Sequence, residues 1–141
     1  MYRLKSVNHY WTRDEVKSDT KHIYLFGENI QDASPDEKGK FFIPTSTQAV
    51  CRGLSNAIGI PTKKTRGTGR DAYFQDTDKD FELFKKVVDE AIEKAKKDGR
   101  PIKISAYGLG TGAAATHGAF VNGTGRFFDY LYSKLGELDG R

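Results

Sequence analysis

The chain has 141 residues, a formal net charge of +4 and a pI of about 9.1. Hydrophobic residues at 37% and charged residues at 30% are enough for one buried core, which excludes a disordered or fibrous chain. A lone cysteine, Cys51, excludes an internal disulfide, and no apolar run approaches the ~20 residues that a membrane span needs.

In chain order, the first segment is polar and mixed. Residues 1–20 read as an N-terminal extension, with Tyr10 and Trp11 as anchors onto the core. The start, Met1 to Lys5, shows no apolar h-region, so no signal peptide is expected and a cytoplasmic location is the default. Ile23-Tyr24-Leu25-Phe26 is a short apolar run closed by Gly27, the pattern of a buried strand. Residues 30–46, with Pro35, Gly39 and Pro44, predict a long loop. A short helix is expected over 47–54, capped by Ser46 or Thr47, followed by a strand over 57–61 and a polar loop over 62–79.

The clearest element is a helix over about 80–98, where Phe81, Phe84, Val88, Ala91 or Ile92, and Ala95 recur at helical spacing. Gly99 suits its C-terminal cap and Pro101 follows. Residues 102–107 alternate like a strand, and a last helix over about 125–138 turns Phe127 or Phe128, Leu131 and Leu135 inward. This alternation predicts a single α/β domain spanning 1–141, a parallel or mixed sheet covered by helices. Its ligands are expected at the carboxyl ends of the strands.

Three strand-end loops hold the candidate residues. Gly108-Leu109-Gly110-Thr111-Gly112 follows a strand directly, and glycines there free backbone N–H groups to face a phosphate. Gly108, Gly110 and Ala113 match a dinucleotide fingerprint in spacing, but only one helix and no strand are expected between them and Arg141. Thr111 and Thr116 offer further hydroxyl donors. Glu28 and Asn29 are placed to touch a ribose, or to position water if the protein is an enzyme; turn formation is the other role open to them. Gln48, Arg52 and Lys63 are candidate contacts to phosphate or carboxylate. Tyr73 or Phe74 is a candidate for stacking on a base.

Lys63, Lys64, Arg66 and Arg70 form a small basic run, too narrow for the stripe that nucleic acid demands. His9, His22 and His117 lack metal-ligand spacing, so neither a metal nor a cofactor is expected.

Four blocks in this order resemble a known family: Ile23 to Asn29, Gln48 to Gly53, Asn56 to Lys63, and Gly108 to Gly112. They resemble small phage and bacterial proteins that look like compact relatives of macrodomains, the ADP-ribose-binding fold. The likeness runs from about Trp11 to Leu135. It implies a three-layer α/β/α fold in which Gly27, Glu28 and Asn29 line the ribose side, and Gly108 to Gly112 cradle the diphosphate. It further implies that Gln48, Arg52 and Lys63 face the same cleft. This chain departs from the family between Gln31 and Thr45, where relatives carry a glycine-rich stretch and it has one glycine.

The expected function is binding of an ADP-ribose-like or cyclic nucleotide, as in a phage protein that sequesters a host immune signal. Hydrolysis of ADP-ribose derivatives and nucleic-acid binding are the alternatives. The partner is a small-molecule nucleotide, and whether the chain self-associates is open.

Overall fold

The computed structural model describes residues 4–45, 47–109, 118–120 and 125–139. Its centre is a four-stranded, all-parallel sheet of β1 (Leu4–Val7), β2 (Ile23–Asn29), β3 (Ala57–Lys63) and β4 (Ile102–Ser105), in the order β1-β4-β2-β3. Among the described residues three α-helices accompany it: α1 (Arg13–Ser18), α2 (Asp78–Asp98) and α3 (Arg126–Glu137).

The alternation of a buried strand explains the layers. Ile23 and Leu25 of β2 point to one face, where they join Phe84, Val88 and Ile92 of α2 and Phe127, Leu131 and Leu135 of α3. Tyr24 and Phe26 point to the other, against Trp11, Val16 of α1, and the 3-10 turn Gln48–Cys51. Both faces of a parallel sheet must be covered because both are apolar, and β2 is apolar on every one of its first four residues. The crossover from β1 to β2 carries α1, and that from β3 to β4 carries α2 in the opposite direction. Crossovers of one hand running in opposite directions belong on opposite faces, as these two are.

The N-terminal segment corrects the sequence reading. Leu4–Val7 pairs in register with Ile102–Ser105 and is a strand of the sheet, and α1 covers one face, so residues 4–18 are part of the domain and not an extension to it. Four residues with a single buried one, Val7, carry too little periodicity to be seen as a strand. Tyr24 also closes a polar cluster there: its hydroxyl donates to Asp19 at 2.8 Å, and Asp19 accepts from Lys103 at 3.0 Å. The expected anchor, Trp11, is 4% exposed, but Tyr10 is 69% exposed and anchors nothing in the core.

Helix α2 behaves as its sequence predicts. Thr77 caps it by accepting from Asp80 N, and Gly99 ends it in the left-handed region at φ +80°.

Four carboxyls, Asp19, Asp32, Asp98 and Glu137, are held below their ordinary range, and Asp19 and Asp32 are the more buried of them. The Arg66 guanidinium holds Asp32 below its ordinary range against the opposing effect of burial, with help from Asn29. At Asp19 burial acts upward, and hydrogen bonds from His22, Lys103 and Tyr24 outweigh it, leaving that carboxyl well below the usual range. A carboxyl depressed in the folded state stabilises at every pH above its unfolded value of 3.8, and that contribution is lost as pH falls through the folded value. Urea midpoints are therefore expected to fall steeply below about pH 4. Asp32→Asn should lower the midpoint at pH 7 and flatten that acid limb; an unchanged limb would show that Asp32 does not contribute.

Candidate functional site

The sheet opens at its carboxyl end. Strands β2 and β4 pair from Ile23↔Ile102 to Leu25↔Ile104 and then part. Beyond that point β2 stays with β3 as far as Asn29↔Lys63, and β4 stays with β1 as far as Val7↔Ser105. The Ala106 N–H continues this second path by donating to Val7 O at 2.8 Å. The strand pairing therefore parts between Phe26 and Ser105, the kind of place at which an open parallel sheet forms a crevice. The chain leaves β2 toward the 3-10 turn on one face and leaves β4 toward α3 on the other. Open parallel sheets bind ligands at such a divergence.

Gln48 spans the crevice. The Gly27 N–H, which lacks a β4 partner there, donates to Gln48 Oε1 at 3.1 Å, and Gln48 Nε2 donates to Gly108 O at 3.2 Å. The Gln48 backbone is itself held, its carbonyl accepting from Trp11 Nε1 at 2.9 Å. Three predicted site residues from three separate blocks, Gly27, Gln48 and Gly108, thus meet at one place.

The remaining predicted residues are placed otherwise. Leu109 is 1% exposed and packs into the core, with its N–H donating to Tyr132 Oη at 2.9 Å and its carbonyl accepting from the same hydroxyl at 3.0 Å. Gly108, at φ +83°, donates its N–H to Ser105 O at 3.0 Å. Gly110, Thr111 and Gly112 lie outside the described residues, as do Ala113, Thr116 and His117.

Glu28 and Arg52 pair with each other. Both are 4% exposed, and the guanidinium meets the carboxylate through Nε, at 2.9 and 3.1 Å, and through Nη2. Gly59 makes room for this pair, since a Cβ there would stand 2.8 Å from Glu28 Cβ. The pair floors a second cavity of about 460 Å³ along the outer edge of β3, between the 30–41 loop and Val87 and Lys94 of α2.

Asn29 forms a turn, the other role open to it. Its side chain accepts from Asp32 N at 2.8 Å and donates to the Asp32 carboxylate at 2.9 Å. The Lys63 ammonium lies 4.9 Å from the Tyr73 ring centre and 3.4 Å from Arg66 O.

Two of the four cations in the basic run are paired with carboxylates. Lys64 pairs with Asp80 at 3.2 Å, Arg66 with Asp32 at 2.6 Å, and Arg70 donates to Gln75 at 3.2 Å. Tyr73 and Phe74 are buried, which removes them as stacking surfaces. Burial pushes the Cys51 thiol up to about 12, so it is no nucleophile near neutral pH. Among the described residues, no group of His, Cys, Asp or Glu side chains is arranged to hold a metal ion.

Residues that the sequence reading passed over also border the crevice. Tyr107 precedes Gly108 and stacks on Tyr10, with ring centres 4.8 Å apart and planes 15° apart. The sequence marks Tyr10 as a core anchor and Tyr107 as the end of a strand, and neither as a site residue.

The fold and site define a small parallel α/β protein with a strand-end crevice. A family model matches residues 6–119, and the chain belongs to that family, a family of unknown function (DUF7831). No curated protein and no solved structure matches it. The matched span holds the crevice residues Gly27, Gln48 and Gly108. Among the described residues, no helix is long and apolar enough to cross a membrane.

Proposed function

We propose that the chain binds a phosphate-bearing nucleotide at the crevice between β2 and β4, as a macrodomain-like, cytoplasmic binder that sequesters its ligand. The observation that carries this reading is the parting of β2 and β4 at the point where Gly27, Gln48 and the start of the glycine-rich stretch converge. The N–H groups of Gly27, Gly108 and Leu109 are bonded within the protein, so this reading takes its donors from the glycine-rich sequence that follows Leu109, a composition whose backbone favours phosphate.

Binding without turnover is favoured over hydrolysis by the state of the two candidate catalytic groups. Glu28 is bound to Arg52 and Asn29 is bound to Asp32, so neither is poised to activate water. Nucleic-acid binding is disfavoured by the internal pairing of Lys64 and Arg66. Sequestering a host immune signal, as a phage protein would, is one use of such a binder.

Thermal melting with ADP-ribose, NAD, cyclic dinucleotides and cyclic ADP-ribose isomers tests the reading. A ligand at 100 times its Kd is expected to stabilise the fold by about 2.7 kcal/mol, a shift of several degrees. Gln48→Glu keeps an acceptor for Gly27 N–H but sets a carboxylate against the phosphate, and should reduce the shift by more than half. No shift from any of them at millimolar concentration would overturn the proposal. Recovery of altered nucleotide after denaturing the complex would favour the hydrolase.

A further inference from the structure

We propose that a cavity of about 560 Å³ beside the crevice, walled by Tyr10, Trp11, Ile43, Pro44, Thr47 and Val50, receives the planar ring of the nucleotide and reads it by stacking, with little regard to which base it is. The inference rests on the nucleotide reading above and adds to it the part of the ligand that carries no charge.

The cavity and the crevice share a wall. Thr47 and Val50 flank Gln48 in the chain, Trp11 both lines the cavity and holds the Gln48 carbonyl, and Tyr10 stacks on Tyr107, the residue before Gly108. A ligand with its phosphate at Gly108 thus has this cavity next to it. The volume falls within the range of small-molecule sites.

Tyr10 and Tyr107 are 69% and 51% exposed, two of the four large hydrophobic side chains exposed among the described residues, and they lie together. Their stacking steadies the Tyr10 ring at low entropic cost while leaving most of it in solvent at the cavity wall. Stacking on an aromatic ring is open to every base, because every base has a π-face.

The walls hold little that could read a base edge. No carboxylate lines the cavity. Trp11 Nε1 is bound to Gln48 O, and Arg13 Nη1 donates to Val50 O at 3.0 Å and to Arg52 O at 2.7 Å. Trp11 Nε1 and one arm of Arg13 are thus turned into the protein; Thr12, Thr45 and Thr47 bring hydroxyls to the wall, and the rest of the lining is mainly rings and aliphatic groups.

Trp11 is the only tryptophan and lines this cavity, so its emission responds to occupancy, and because it also holds the Gln48 carbonyl, ribose 5-phosphate is the control for phosphate alone. The experiment follows Trp11 fluorescence and calorimetric affinity for ADP, GDP, UDP, adenosine and ribose 5-phosphate. The three diphosphates are expected to quench or shift the emission, with affinities within about tenfold of one another. Tyr10→Ala should weaken each by about tenfold, Tyr10→Phe should restore binding, and ribose 5-phosphate should bind both variants alike.

Diphosphates that bind without changing Trp11 emission, and equally well to Tyr10→Ala, would overturn the ring site while leaving the phosphate site standing. A preference for one base by about a hundredfold or more would overturn the stacking-only reading. Adenosine that changes the emission when no phosphate compound binds better would uphold the ring site and remove the phosphate reading. Tyr10 is mostly exposed, so its replacement leaves the core intact.

Discussion

Arg52→Ala is expected to destabilise the protein by about 3–5 kcal/mol, the range for removing one partner of a buried ion pair. At roughly 3 °C per kcal/mol for a chain of this size, the melting temperature should fall by roughly 10 °C. The cause is the carboxylate left behind. Glu28 is 4% exposed, and without the guanidinium its remaining donor among the described residues is the Asn29 N–H at 2.9 Å. Arg52 also donates to Phe42 O and so ties the 30–46 loop to the sheet. The double replacement Glu28→Leu/Arg52→Leu removes both charges and should recover most of the loss, because an apolar pair needs no counter-ion. Urea unfolding of the three proteins decides the matter. A single-variant loss below about 1 kcal/mol would mean that water reaches the pair and that it behaves as a surface salt bridge.

Phe84→Ala is expected to cost a similar amount, about 3–5 kcal/mol, for a different reason. Phe84 is fully buried on α2 and meets four other rings: Phe74 and Phe120 edge-on at 5.2 and 5.4 Å, and Phe127 and Tyr130 of α3 at 5.1 and 6.5 Å. Truncation removes the transfer energy of the ring and leaves a void that rigid neighbours cannot fill. Phe84→Leu should retain more than half of the stability lost by the alanine variant. Phe81, half-buried one turn earlier and in contact with Phe127 and Tyr130, gives the control: its alanine variant should lose clearly less. Equal losses at the two positions, measured by urea unfolding, would show that the ring cluster does not act as a packed core.

Much of the fold was legible along the chain, for physical reasons that can be named. Helix α2 carries its own signals: apolar residues at helical spacing, a threonine cap and a terminal glycine, all of which act within a few residues of each other. Strands β2 and β3 show as apolar runs because both of their faces are buried. Strand β1 did not show, because Lys5 and Ser6 are polar and its pairing partner, β4, lies nearly a hundred residues away. The strand was expected to close at Gly27, yet it continues to Asn29, since pairing with Lys63 and not local preference ends it.

For the candidate site, the chain determined the ingredients and the tertiary structure decided their partners. The glycines at 27 and 108, Gln48, and the charged pair Glu28 and Arg52 were all visible as residue types near strand ends. Which of them would meet was not visible. The Gly27 backbone N–H, in the plane of the sheet, reaches Gln48, while the Glu28 side chain, on the face of Tyr24 and Phe26, turns to Arg52 at the end of the 3-10 turn. The stacking of Tyr10 on Tyr107 joins residues 97 apart in the chain, and no local pattern records it. Sequence by itself thus determined an α/β chain with a glycine-rich strand end. The parting of β2 from β4 belongs to the tertiary structure alone, in which β2 continues along β3 while β4 ends along β1.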